Sequence, residues 1–194
     1  MDEIELLSGV LTKTTTVVAG VGEDRWRLPT PCEEFSVHDL MNHMVGWIQV
    51  FEAGCHGRTY EGDPAEYICG HDAAAEFAKA ANSIVAGWEE HGFDRQVRIS
   101  GSGMMPGAMV FNMTVMEYLA HGWDLASATG QVSPYAEAEA TDVLNLAKVT
   151  LPPEYQGEGM AFGAIVPVSD RAPAINRLIA FLGRDPAWAE SPAQ

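Results

Sequence analysis

The stretch that begins near Pro106 or Gly107 and runs to about Thr129 constrains the fold more than any other part of the chain. Pro106 is suited to a helix start because its missing N–H needs no partner there, and the stretch ends at Gly130. Within it, Glu117, His121 and Asp124 fall at i, i+4 and i+7, a spacing that sets them on one face of a helix. Their neighbours Met116, Leu119, Ala120, Trp123 and Leu125 read as core. Titratable groups set among core side chains are paired, or do chemistry, or both.

The remainder of the chain repeats the helical theme. Ile4, Leu7, Val10, Leu11, Val17 and Val18 make an apolar stripe that predicts a first helix from Glu3 to about Ala19. A turn region with Gly22, Pro29 and Pro31 follows. Ser36, with Asp39 three residues on, reads as the N-cap of a second helix from Val37 to about Ala53, its inward face carrying Leu40, Met44, Trp47, Ile48 and Phe51. Residues 54–71 read as loop, and Asp72 as the cap of a third helix to about Glu90. "RQVRIS", 95–100, alternates like a short strand, and "GSGMMPG" reads as a flexible turn. The long stretch above is the fourth helix. "PYAEAEATDVLNLAKVT" gives a fifth, stopped by Pro152 and Pro153; residues 154–173 read as coil; "APAINRLIAFLG" gives a short last helix. Long helices with few strand signals describe an all-α helical bundle of five or six helices, four of them long, and the length of 194 residues suits one domain spanning 1–194.

Charge narrows the function. Against 27 Asp and Glu stand 11 Lys and Arg, and between Ile99 and Asp170 Lys148 is the sole Lys or Arg. Nucleic-acid binding needs basic patches that release counterions, and anionic membranes need the same, so neither is an expected partner. No run reaches the roughly 18 apolar residues of a membrane span, and the acidic start "MDEIELLSG" has no secretory-signal pattern. Cys32, Cys55 and Cys69 are odd in number and form no C-x-x-C, which predicts a reducing, cytoplasmic setting without a disulfide scaffold.

His43 lies three residues after Leu40 and four before Trp47, close to the apolar face of the second helix. Taken singly, it fits a satisfied core histidine, and Glu117 with His121 fits an i, i+4 surface pair. Taken together, they make a His2Glu set: two donors from one helix and one from a facing helix, the three protein ligands of a catalytic zinc site with a fourth position for water or substrate.

Two segments carry a family resemblance. "WRLPTPCEEFSVHDLMNHMVG" followed by "EYLAHGWDLASATG" resembles the DinB-like superfamily of four-helix metal-binding proteins, and within it the branch that contains mycothiol-dependent maleylpyruvate isomerase. "FGAIVPVSDRAPAINRLIAFLGRDPAW" resembles the end of an uncharacterised actinobacterial group of that branch, so the similarity runs from Trp26 to Trp188. The resemblance implies a DinB-like four-helix bundle, here with additional short helices and a long C-terminal loop. It implies metal ligands at His43, Glu117 and His121, a single divalent ion such as Zn2+, and mycothiol as cosubstrate. Many members have His where Glu117 stands; the Glu form is similar to the isomerase subset. The isomerase has a further C-terminal domain that helps bind its substrate and has no counterpart here, so maleylpyruvate is not the expected substrate.

Other residues have two readings each. Asp124 could orient a ligand histidine or contact a thiol, or it could be an exposed or capping carboxylate late in a helix. Cys32 could be a nucleophile, but Glu33 and Glu34 beside it disfavour the thiolate and packing suits it better. His38, His56, His71 and His91 read as mostly solvated. The cluster Met104, Met105, Met109 and Met113 reads as adaptable core, with a ligand pocket or a homodimer face as alternatives. The leading expectation is a cytoplasmic metal-dependent enzyme that uses mycothiol in thiol transfer, or in isomerisation of a small electrophilic substrate. A non-catalytic metal- or ligand-binding protein is the second expectation. A helical protein whose polar line is a buried hydrogen-bond network is the third.

Overall fold

A computed structural model describes residues 2–99, 103–157, 159, 160 and 162–188. Six helices dominate it: α1 Glu3–Ala19, α2 Val37–Cys55, α3 Ala73–His91, α4 Gly107–Thr129, α5 Glu137–Thr150 and α6 Ala174–Phe181. Helix α1 packs against α3 and α4, and α2 packs against the same two, which closes a four-helix bundle; α5 lies on α4, and α6 on α5.

Local chemistry explains the helix ends. Asp2 Oδ1 accepts from the Ile4 N–H at 2.9 Å to open α1. Ser36 opens α2 as the sequence predicts: its Oγ accepts from the Asp39 N–H, and the Asp39 carboxylate accepts from the Ser36 N–H in return. Asp72 precedes α3, but its side chain makes no capping bond. Helix α4 ends at Gly130, which takes the left-handed conformation with φ 70°. Glu139 reaches back to the Ala136 N–H at 2.7 Å at the start of α5 and pairs with Lys13 of α1. Glu137 accepts from the Ala174 N–H at 2.6 Å and so ties the start of α6 to α5.

Helix α4 is buried on nearly every side, from Val110 and Phe111 through Val115, Tyr118, Leu119 and Leu125. Such a helix is the axis of a core rather than a surface element. Close approach depends on Gly122, where a Cβ would overlap the Tyr135 hydroxyl. That hydroxyl bonds Thr14 Oγ1 at 2.8 Å and the Tyr118 carbonyl at 3.2 Å, joining α1, α4 and the chain before α5 in one buried network. Arranged this way, the bundle turns Glu117 and His121 toward α2.

Two expectations are corrected and one stands. Met104–Pro106 is a strand rather than a flexible turn. It pairs antiparallel with Gln96–Arg98 in the register Val97↔Met105. Val97 is buried and seats the pair on the core, a tertiary reason that three residues cannot display as periodicity. Residues 100–102 of that stretch lie outside the described residues. The 54–71 loop contains the last residues of α2 and a short 3-10 turn at Pro64–Glu66. The described residues of 154–173 are coil as expected, apart from the end of a 3-10 turn at Pro153–Tyr155 and a bridge between Gln156 and Phe162, and they are pinned in place, as described below. No helix among the described residues is long and apolar enough to cross a membrane.

Candidate metal centre

His43 comes from the middle of α2, and Glu117 and His121 from successive turns of α4. Their donor atoms lie within 4.8 Å of one another. His43 Nε2 and Glu117 Oε1 are hydrogen-bonded at 2.8 Å, the ring N–H donating to the carboxylate, and His121 Nε2 stands 3.4 Å from the same oxygen. The two imidazoles meet edge to face with centroids 5.0 Å apart, and Phe35 packs on His43 at 5.0 Å. The structure therefore brings all three sequence-selected groups together.

The electrostatics of Glu117 oppose each other. Burial favours the neutral acid, but His121 and the hydrogen bond from His43 outweigh it and hold the carboxyl down at about 2. A carboxylate between two imidazoles is a donor set suited to a divalent ion.

Asp124 is not exposed. It is fully buried, and its Oδ2 accepts from His121 Nδ1 at 3.0 Å and from Arg184 Nε and Nη2 at 3.3 and 3.2 Å. Donation from Nδ1 leaves the Nε2 lone pair of His121 facing Glu117 and His43. Arg184, just after α6, is itself buried and donates through Nη1 to the Leu182 carbonyl at 2.8 Å. Burial works against its charge, yet Asp124 more than compensates and raises its pKa.

A cavity of about 800 Å³ opens over the three donors. Its floor is bundle: His43, Trp47, Met113, Met116, Glu117 and His121. Its other walls are the Pro31–Phe35 loop and the C-terminal segment, with Gly157, Met160, Phe162, Val166, Arg184 and Trp188. The Val166 N–H donates to the Ala180 carbonyl at 2.9 Å, and Gln156 Nε2 donates to the Phe181 carbonyl at 2.6 Å, so the irregular segment is tied back to α6. Gly183 has φ +84°, and a Cβ there would stand 2.6 Å from Gly163 Cα. Only glycine fits both demands.

Cys32 lines the same cavity, and its sulfur lies within 4.8 Å of donor atoms of His121 and Asp124. Burial pushes its thiol up to about 11, and the Arg184 guanidinium works in the opposite direction. Cys55 and Cys69 are buried, and all three cysteines are free. Of the methionine cluster, Met113 reaches the cavity while Met104 and Met109 are exposed. His56 bonds Ser83, His38 stacks on Trp26, and His71 pairs with Glu23 at the surface. Arg184 and the 157–166 wall escaped the sequence reading. The signal available for Arg184 was a rare cation directly after a helix-ending glycine.

Residues 8–126 match the family described as the mycothiol maleylpyruvate isomerase N-terminal domain. The chain belongs to that family. The match includes His43, Glu117, His121 and Asp124 and stops before Arg184 and the C-terminal wall. Uncharacterised proteins from two Mycobacterium tuberculosis strains, H37Rv and CDC 1551, are 31% identical over 169 residues, covering 87% of this chain and 90% of theirs. Among solved structures, a DinB-like protein from Bacillus cereus shares the fold at 13% identity with a TM-score of 0.53, covering 69% of this chain and 95% of that one. A point mutant of the mycothiol-dependent maleylpyruvate isomerase aligns at 14% identity with a TM-score of 0.50, covering 79% of this chain and 68% of that one. The DinB-like fold of this family member is thus that of a mycothiol-related group.

Proposed function

We propose that the chain is a metal-dependent enzyme that uses a low-molecular-weight thiol, mycothiol, against a small electrophilic substrate. The convergence of His43 Nε2, Glu117 Oε1 and His121 Nε2 at the floor of an open cavity carries this reading. Two neutral imidazoles and one carboxylate would leave Zn2+ with a formal charge of about +1, and three protein donors is the count of catalytic zinc sites. Bound there, the ion supplies a Lewis acid that takes a thiol as its thiolate.

The chain's own residues set up that chemistry. Asp124, held by Arg184, keeps the His121 proton on Nδ1, so Nε2 is the free donor. The hydrogen bond from His43 to Glu117 marks a proton that must leave when an ion enters. Phe35 packs beside both imidazoles and restricts their rotation. The cavity walls would confine the electrophile beside the donors, which lowers the entropic cost of their encounter. Such a thiolate would either displace a leaving group, which departs as its anion, or add to a conjugated double bond and be eliminated again to leave an isomer. We assign the activity to the cytoplasm, with small molecules as the partners.

Cobalt substitution followed by mycothiol titration tests this. A sulfur-to-cobalt charge-transfer band in the near ultraviolet is expected, and His121→Ala should lack it. An unchanged spectrum at saturating mycothiol, with no heat of binding, would leave a metal-binding role without thiol chemistry. A metal-free protein as purified would instead leave the hydrogen-bonded His43–Glu117–His121 network as a structural device.

A further inference from the structure

We propose that the cavity selects an uncharged, largely apolar molecule and disfavours anions; this deepens the thiol-enzyme reading by naming the class of its electrophile. Aromatic and thioether side chains line much of the space, among them Trp47, Phe51, Met113, Met160, Phe162 and Trp188. Such walls reward apolar area and aromatic rings.

The charges that line the cavity point the same way. Among the described lining residues, Arg184 is the sole Lys or Arg. It is already engaged: Nε and Nη2 donate to the buried Asp124, and Nη1 donates to the Leu182 carbonyl. A guanidinium neutralised by its own carboxylate has little attraction left for a second anion. Against it, Glu117 stands at the floor, and Glu33, Glu34 and Asp185 line the cavity while exposed to solvent, which places them at the mouth. A divalent ion at the floor and a thiolate beside it leave the surroundings negative. A carboxylate-bearing molecule entering this space would pass three acidic groups and find no unpaired side-chain cation among the described lining residues. At contact distances in water each like-charge encounter costs about a fivefold loss in affinity, so a deficit on the order of tenfold or more is expected.

A matched pair of probes tests the proposal: 1-chloro-2,6-dinitrobenzene and its carboxylate counterpart, 4-chloro-3,5-dinitrobenzoate. With a thiol, both react by the same balanced step: sulfur bonds to the ring carbon, chloride leaves, and the thiol proton goes to solvent. Binding is read first without metal or thiol, by quenching of tryptophan fluorescence, so the result does not depend on turnover. The neutral probe should bind at least tenfold tighter. The gap should narrow in the triple variant E33Q/E34Q/D185N, and on raising salt from 20 to 500 mM with the wild-type chain. Equal or tighter binding of the carboxylate, or no binding of the neutral probe, overturns the proposal. Selective binding without turnover by mycothiol would defeat the thiol reading while leaving the selectivity standing.

Discussion

The floor and the roof of the cavity are built on different principles. The floor is helix: α2 and α4 face each other across the bundle, and donors four residues apart on α4 meet one from α2. The roof, the described residues of 157–166 together with 183–188, has no repeating backbone pattern. It is held by single contacts such as Val166 N–H to the Ala180 carbonyl and the glycine pair Gly163–Gly183. The family match covers the floor and ends at residue 126. The comparison suggests a division of labour in which regular structure sets donor geometry and irregular chain sets what may enter.

The largest effect should come from emptying the floor. His43→Ala with His121→Ala removes two of the three proposed donors, and elemental analysis should find stoichiometric metal lost while circular dichroism remains helical. One metal retained per chain would place the ion elsewhere. Glu117→Gln keeps shape but removes the charge that balances a cation. Its loss of metal affinity should exceed the roughly 10–100-fold typical of changes outside the ligand set. A Glu117→Gln variant with unaltered affinity would make the carboxylate a bystander.

The next effect tests a strong tie between floor and roof. Asp124 of α4 and Arg184 beyond α6 form a buried ion pair, and removing one partner of such a pair costs about 3–5 kcal/mol. Arg184→Met should therefore destabilise the chain strongly in urea. It should also weaken metal binding, because Asp124 then holds His121 without its own anchor. The double variant Arg184→Met with Asp124→Leu should recover part of the stability but not the metal affinity. Full recovery of both would show that the pair is structural only.

The same contrast governs what could be read before the structure. The bounds of α1, α2 and α4 were legible because apolar stripes and capping residues such as Ser36 and Gly130 are local signals. The meeting of His43 with Glu117 and His121 was legible because a bundle places facing helices side by side and because the family resemblance pointed to the same three residues. Arg184 was not, since its partner Asp124 is 60 residues away and no period links a coil to a helix. The strand Met104–Pro106 was hidden for a similar reason: its partner, not its own pattern, defines it.

A smaller effect separates strain from clash in the roof. Gly130 and Gly183 both have positive φ, but a Cβ at Gly130 meets nothing within 4 Å whereas one at Gly183 meets Gly163. Gly130→Ala should cost about 1–2 kcal/mol, the conformational penalty alone. Gly183→Ala should cost more, about 2–3 kcal/mol, and should in addition speed proteolysis within 157–188. Equal costs for the two would mean that the roof yields freely and does not shape the cavity.

The smallest effect is expected at Cys32, where floor and roof come closest to exchanging roles. Its sulfur could join His121 and Asp124 in a second donor group, which would shift an ion toward the roof. Two features argue against that. Asp124 Oδ2 is already taken by His121 and Arg184, and the Arg184 pairing offsets the charge of that carboxylate, although Oδ1 has no partner in the structure. The Cys32 thiol, pushed up by burial to about 11, is a thiolate in only about one molecule in ten thousand at pH 7, and an ion must take the thiolate. The sign is clear: a raised thiol pKa makes coordination by sulfur weaker at neutral pH and stronger only as the pH climbs toward 11. Cys32→Ser should therefore leave metal stoichiometry at pH 7 unchanged and affinity altered less than about threefold, since the three proposed donors are untouched. Inductively coupled plasma analysis with a competitive chelator titration checks it, and a Cys32→Ser protein that emerges without metal would move the ion from the helices to the loop.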